Sequence, residues 1–215
     1  MNPKRILIGL ILTALIFNGF SQADWEDPSI IERNKEAGRT IFFSFDDRLT
    51  ALTAEREQSP WYLGLDGPWH FHLAHNPASR PADFYREAYD VSRWDLIQVP
   101  GNWEFQGYDV PIYVNIPYEF ADPRTPITEL ENGPEPPRIP HDYNPVGSYR
   151  RTFELPLNWD GRQVFVHFGS VKSAFYLWVN GQMVGYSQGS KLPSEFNITP
   201  YVRPGQINTV AVEVY

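Results

Sequence analysis

His70, His72 and His75, and a handful of acid clusters, are the residues whose types and spacing invite a chemical reading. Two imidazoles two apart share a strand face, and a third close by would complete a donor set for zinc. The same stretch alternates Trp69, Phe71 and Leu73 with His70 and His72, which places both histidines on the solvated side of a half-buried strand. That reading is favoured over a metal. His141-Asp142 has the composition of a base with its orienting acid, but no matching nucleophile is evident, so loop packing is favoured. Asp46-Asp47, Glu55/Glu57 and Glu129/Glu131 bring carboxylates together in sequence. Adjacent acids on loops are usually solvated, and sequence spacing does not set the separation that paired acid–base chemistry needs. Asn197-Ile198-Thr199 fits a glycosylation sequon, a short pattern that recurs by chance.

The elements that must position these groups are short. Twenty prolines in 215 residues favour turns and extended connections over long helices, and 15% aromatic residues suit a β-rich core. Strands are expected at Gly67–Leu73, Leu96–Val99, Tyr149–Leu155, Val164–Phe168 and Thr209–Tyr215. The plainest hairpin runs from Ala174 to Tyr186 about Asn180-Gly181, a pair that tolerates positive φ at both central turn positions. Pro123–Pro145 is a long proline-laden loop without apolar periodicity, and such loops are more often functional than idle. Residues 24–60 read as an arm, with a helix from Pro28 to about Ala37 capped by Asp27 and stopped by Gly38, and a small apolar anchor at Ile41-Phe42-Phe43. Residues 61–215 then form an all-β, jelly-roll-like antiparallel β-sandwich. Its last strand runs off the end of the sequence, which predicts a raw sheet edge and marginal stability.

Residues 1–23 carry Lys4 and Arg5, an apolar run from Ile6 to Phe17, and Ser21-Gln22-Ala23, the pattern of a cleaved signal peptide. Twelve apolar-leaning residues are too few to span a bilayer, so a periplasmic or secreted protein with no membrane span is expected. Its removal moves the formal charge from −8 to −10. That field argues against nucleic acid and suits a neutral ligand. There is no cysteine, hence no disulfide framework.

Longer strings carry more information. Val99-Pro100-Gly101-Asn102-Trp103-Glu104-Phe105-Gln106-Gly107-Tyr108-Asp109-Val110-Pro111-Ile112-Tyr113-Val114-Asn115 resembles the sugar-binding domain of family 2 β-galactosidases. So do Asn144-Pro145-Val146-Gly147-Ser148-Tyr149-Arg150 and the run from Ser173 through Val184-Gly185-Tyr186-Ser187-Gln188 to Phe196. Asp24-Trp25-Glu26-Asp27-Pro28, followed by Asn34, matches the arm of that family.

The resemblance implies a jelly-roll domain followed by an immunoglobulin-like domain and a barrel bearing two catalytic glutamates, which hydrolyse terminal β-galactosides with retention. No catalytic residue is expected within residues 1–215, and this chain alone is expected to be inactive. The resemblance gives Asn115 the role of touching galactose and brings the Gly185–Ser190 stretch to the same place. It puts the magnesium ligands beyond Tyr215. Where the family has an Asp on sugar and sodium, this chain has Gly189, so sodium dependence is not carried over. The remaining domains of the polypeptide are expected partners, as is a homo-oligomer built partly on the arm. Trp61 and Trp103 could stack on a sugar, but burial in the sandwich is favoured. A non-catalytic carbohydrate-binding module, a structural or assembly domain that completes a partner chain, and a β-glucuronidase or β-mannosidase are the competing readings.

Overall fold

Alternation decides which side of each strand meets the core. In the computed structural model, which describes residues 23–111 and 139–215, Trp69 and Phe71 of β2 (Gly67–Ala74) are buried while His72 is exposed. The strands that follow are β3 (Asp95–Val99), β4 (Val146–Glu154), β5 (Phe165–Phe168), β6 (Ala174–Val179), β7 (Gln182–Gln188), β8 (Ser194–Asn197) and β9 (Ile207–Val214). A two-residue β1 (Glu32–Arg33) precedes them. The large sheet is antiparallel throughout, in the order β1-β7-β6-β9-β4-β2-β3, and β5 pairs with β8 in a second sheet. Phe71, Phe175, Leu177, Val179, Val210, Val212 and Val214 from the large sheet meet Phe196, Ile198 and Val164 from the small one. The expected antiparallel sandwich is what forms.

Three local expectations change. The helix over 28–37 is absent: Asp27 Oδ1 accepts from both Ser29 N (2.9 Å) and Ser29 Oγ (2.6 Å), and Asp27 O from Ile30 N (3.0 Å), a single turn that is not continued. The chain stays extended, and β1 pairs with β7 at Glu32–Ser187 and Arg33–Tyr186. A helix does form later, α1 (Arg48–Thr53), where Asp47 Oδ1 accepts from Thr50 N at 2.9 Å. The apolar anchor Ile41-Phe42-Phe43 is exposed rather than docked.

The last strand is not a raw edge. β9 lies in the middle of the sheet, bonded to β4 along Gly147–Glu154 and to β6 along Phe175–Val179. Even Tyr215 is tied, its amide donating to Ala174 O at 2.8 Å. The edges of the large sheet among the described residues are β1 and β3.

The outer face of the large sheet is roofed by the arm and by residues 81–94. Trp25 stacks on Tyr215 with ring centroids 5.0 Å apart, and Arg33 grips Asp24 through Nε (2.6 Å) and Nη2 (2.8 Å). Tyr85 stacks on Trp178 at 5.1 Å, and Trp94 covers His72 at 5.4 Å. Arg150 projects from β4 into this roof and donates to the carbonyls of Phe84, Tyr89 and Glu87 at 3.1, 2.7 and 2.7 Å.

Beneath the roof, Glu213 is buried on β9 and accepts from Arg80 Nε at 3.1 Å and Tyr215 OH at 2.7 Å. Burial raises its carboxyl above the usual range, against the opposing pull of Tyr215 and Arg80. A carboxyl raised on folding stabilises most below its unfolded pKa near ~4.3, and that contribution is lost as pH climbs through the folded value. The stability difference between wild type and Glu213→Gln should therefore shift in favour of the variant as pH rises from about 4 toward 7. Urea midpoints of both proteins across that range check this; a constant difference would show that Glu213 does not titrate on folding.

Candidate functional site

Strand register brings the stretches singled out by sequence to one end of the sandwich. Ala74 pairs with Val146, Gly147 with Val214, Phe175 with Val214, and Ala174 with Gln188. Gly189 N donates to Ser173 O at 3.0 Å and Ser173 N to Tyr215 O at 2.8 Å, so the segment after β7 lies beside the end of β9. The loop after β3 crosses to the same end. Trp103 and Tyr108 pack on Phe71 at 6.1 and 4.8 Å, and Asp109 meets Tyr143.

Gly147 shows why the sequence is built this way. A Cβ there would lie 2.5 Å from Trp103 Cζ3 and 2.9 Å from Cε3, so the indole rests directly on the β4 backbone. Trp103 is thus part of the packing, as favoured, and its buried Nε1 has no hydrogen-bond partner among the described residues. Trp61 lies beneath the Arg162 guanidinium, 3.3 Å from the ring centroid, and its Nε1 donates to Asp46 Oδ1 at 2.8 Å.

The polar groups at this end hold segments together. Tyr143 donates its phenolic hydrogen to Asp109 Oδ1 and sets its ring edge-on to His75 at 4.8 Å. The carboxylate beside it, helped by burial, pushes the phenol up to about 12, so it remains a donor at neutral pH. Asn144 N donates to His75 O at 3.2 Å, and Asn76 Nδ2 to Asp142 O at 3.3 Å. His141 is bonded through Nε2 to Glu26 of the arm, which is loop packing rather than a catalytic dyad.

The Gly185–Ser190 stretch is committed to the interior more than sequence suggested. Tyr186 is fully buried, Ser187 is bonded to Ser194 at 2.9 Å, and Gln188 donates to Ile30 O in the arm. Gly185 admits the Arg33 carbonyl and the Phe196 ring where any Cβ would collide. Gly189 has φ +125°, a conformation L side chains rarely adopt, and offers no side-chain donor atom.

Other sequence candidates are spoken for elsewhere. Asp47 caps α1, Asp46 takes the Trp61 indole, and Glu57 pairs with Arg56. His70, His72 and His75 do not converge with acids, and no group of three His, Cys, Asp or Glu that could hold a metal occurs among the described residues. Asn115 and Glu129/Glu131 lie outside the described residues. The Tyr143–Asp109 bond, which sequence reading missed, joins positions 34 residues apart with no periodic signal between them.

Comparison with known proteins follows this geometry. Residues 63–215 match the family described as glycosyl hydrolases family 2, sugar binding domain. A β-galactosidase of Priestia megaterium is 40% identical over 199 residues, which is 92% of this chain and 18% of that protein. A β-galactosidase of Clostridium acetobutylicum is 39% identical over 204 residues, covering 93% of this chain and 21% of the relative. Among solved structures, a β-glucuronidase of Ruminococcus gnavus is 20% identical over 71% of this chain and 20% of its own, with a TM-score of 0.47. The chain thus spans about a fifth of the length of the curated relatives it matches. Carried by the match over residues 63–215, the chain belongs to the family 2 glycoside hydrolases and contains their sugar-binding domain.

Proposed function

We propose that this chain is the N-terminal sugar-binding portion of an exported β-galactosidase that hydrolyses terminal β-D-galactosides with retention. The observation that carries the reading is the roughly 40% identity to proteins named β-galactosidase across nearly the whole chain. In such a reaction one carboxylate attacks the anomeric carbon while a second donates a proton to the leaving oxygen; water then hydrolyses the glycosyl-enzyme. Both glutamates belong to a barrel that follows in the same polypeptide, and residues 1–215 alone are inactive. Their role is to form one wall of the site, with Asn115 hydrogen-bonded to the galactose.

The remaining assignments follow from the same resemblance. The magnesium ligands lie in the rest of the polypeptide. Sodium is not held at Gly189, because the position has no donor side chain and its φ of +125° disfavours the aspartate that would supply one. The exposed Ile41, Phe42, Phe43, Leu49 and Leu52 of the arm are the surface for assembly into a homo-oligomer. The first 23 residues direct the protein to the periplasm or outside.

The test is to read the gene past the codon for Tyr215 and assay its full product on nitrophenyl β-galactoside, β-glucuronide and β-mannoside. The expected product continues for several hundred residues and prefers the galactoside. Asn115→Ala should lower kcat/KM by roughly ten- to a hundredfold, about the loss of one or two transition-state hydrogen bonds. A stop codon after Tyr215 defeats the hydrolase reading and leaves a glycan-binding module, to be checked by a glycan screen. Preference for the glucuronide or mannoside would move the protein to that activity.

A further inference from the structure

The β4–β9 ladder runs from the Gly147–Val214 pair to the Glu154–Ile207 pair, and the loops 155–164 and 198–206 gather at its far end. Between these loops lies a cleft of about 370 Å³, lined by Trp159, Val202 and Pro204 together with Asp160, Arg162 and Gln163. That volume falls near the lower end of the range for small-ligand sites, about 300–1,000 Å³. Tight turns build it. Leu157–Trp159 is a single 3₁₀ turn, Asp160 N donates to Leu157 O and Arg162 N to Trp159 O, both at 3.0 Å, and Gly161 between them has φ +75°. Val164 N donates to Thr199 Oγ1 at 2.8 Å and Gly205 N to Leu155 O at 2.7 Å, which joins the two loops. The Trp159 indole is fixed from behind, its Nε1 donating to Pro60 O at 3.1 Å. The Arg162 guanidinium lies on Trp61, whose ring is 6.5 Å from that of Trp159. Three polar groups remain uncommitted here. Asp160, Arg162 and Gln163 are exposed, and their side chains make no hydrogen bond or ion pair to any described residue. The Thr199 hydroxyl, by contrast, is engaged with both Val164 N and Val164 O.

We infer that this cleft is a binding subsite for one uncharged sugar unit of a glycan chain. A carboxylate only accepts hydrogen bonds and a guanidinium only donates them, whereas the Gln163 amide does both. Each hydroxyl of a sugar ring donates and accepts, so neighbouring hydroxyls of one ring can satisfy all three side chains. An anion would be repelled by Asp160 and a cation by Arg162, which leaves a neutral polyol as the match. Trp159, Val202 and Pro204 supply apolar surface for the C–H face of the ring. Because Pro60 and Trp61 already hold the indole and the guanidinium, little ordering is needed on binding. A single open subsite binds weakly, and a polymer offers the repeated units that offset this. That the unit is galactose rests on the β-galactosidase reading; that it is an uncharged sugar does not.

Native gel electrophoresis of the full gene product through soluble β-galactan, mannan or polygalacturonate reads the subsite without any need for activity. Wild type should be retarded by the galactan and not by polygalacturonate, whose units carry a carboxylate. Asp160→Ala should weaken the binding about tenfold and Gln163→Ala about threefold, the loss of a charged and a neutral hydrogen-bond partner. Both variants should keep Tm within about 1 °C of wild type, because neither side chain is bonded in the fold. A wild type that neither neutral polymer retards overturns the subsite. So does an Asp160→Ala retarded as strongly as wild type, which would put the binding elsewhere. Retardation by polygalacturonate above that by the neutral polymers overturns the ligand class. Retardation by mannan alone, lost in Asp160→Ala, supports the subsite and removes only its link to galactose. A product that hydrolyses no β-galactoside defeats the functional reading, and the gel comparison still decides the subsite.

Discussion

Arg150→Met will destabilise the domain by about 3–5 kcal/mol, because it leaves three carbonyls without their donor at once. The guanidinium is buried against the roof and satisfies Phe84, Glu87 and Tyr89 through two nitrogens. Burial lowers its affinity for the proton, with Glu87 nearby working the other way. An exposed arginine would contribute far less; here each abandoned carbonyl costs about 1–3 kcal/mol, reduced where water can reach it. Arg150→Lys should recover only a part, since one ammonium cannot reproduce the planar fork. Urea titrations of the three proteins measure this. A lysine variant within about 0.5 kcal/mol of wild type would mean that charge, not the fork, holds the roof.

Phe196→Ala is the second large effect, at about 3–5 kcal/mol. Its ring is fully buried between the two sheets, edge-on to Phe175 at 5.9 Å and to Phe168 at 6.4 Å. It also closes over Gly185, beside the carbonyl of Arg33. Truncation therefore opens a cavity where the small sheet, β7 and the arm meet. Phe196→Leu should cost less than half as much, because it refills most of the volume. Hydrogen exchange gives a second readout. The Gln188 amide, bonded to Ile31 O at 3.0 Å, should lose protection in Phe196→Ala if the ring steadies the arm. Retained protection would confine the ring's role to the core.

These residues also show what the sequence discloses and what it hides. β2 is legible because alternation survives along it, and the β6–β7 hairpin because of its turn, where Asn180 and Gly181 do adopt φ of +49° and +78°. β8 is not legible: its four residues form a strand only through pairing with β5, at Phe165–Asn197 and Phe168–Ser194. The arm misleads because the turn at Asp27 is not continued: Glu32 and Arg33 pair with β7, a tertiary contact, and the chain runs extended. Gly147 and Gly185 look like ordinary turn or strand glycines; only the collision of an imagined Cβ with Trp103 or Phe196 explains them. The clamp between Asp109 and Tyr143 depends on tertiary proximity, which no local pattern encodes.

The position of β9 has a consequence for the order in which the molecule can be made. It is the last of the described strands, yet it sits between β6 and β4. A nascent chain that has emerged only as far as Gln206 can pair two three-stranded ribbons, β1-β7-β6 and β4-β2-β3, with no strand between them. At synthesis speeds of about 5–20 residues per second, the ladder that links the two ribbons can form only after the β9 segment has been made. The domain therefore closes in a single late step, and a chaperone that holds the earlier ribbons apart would delay folding without having to undo it.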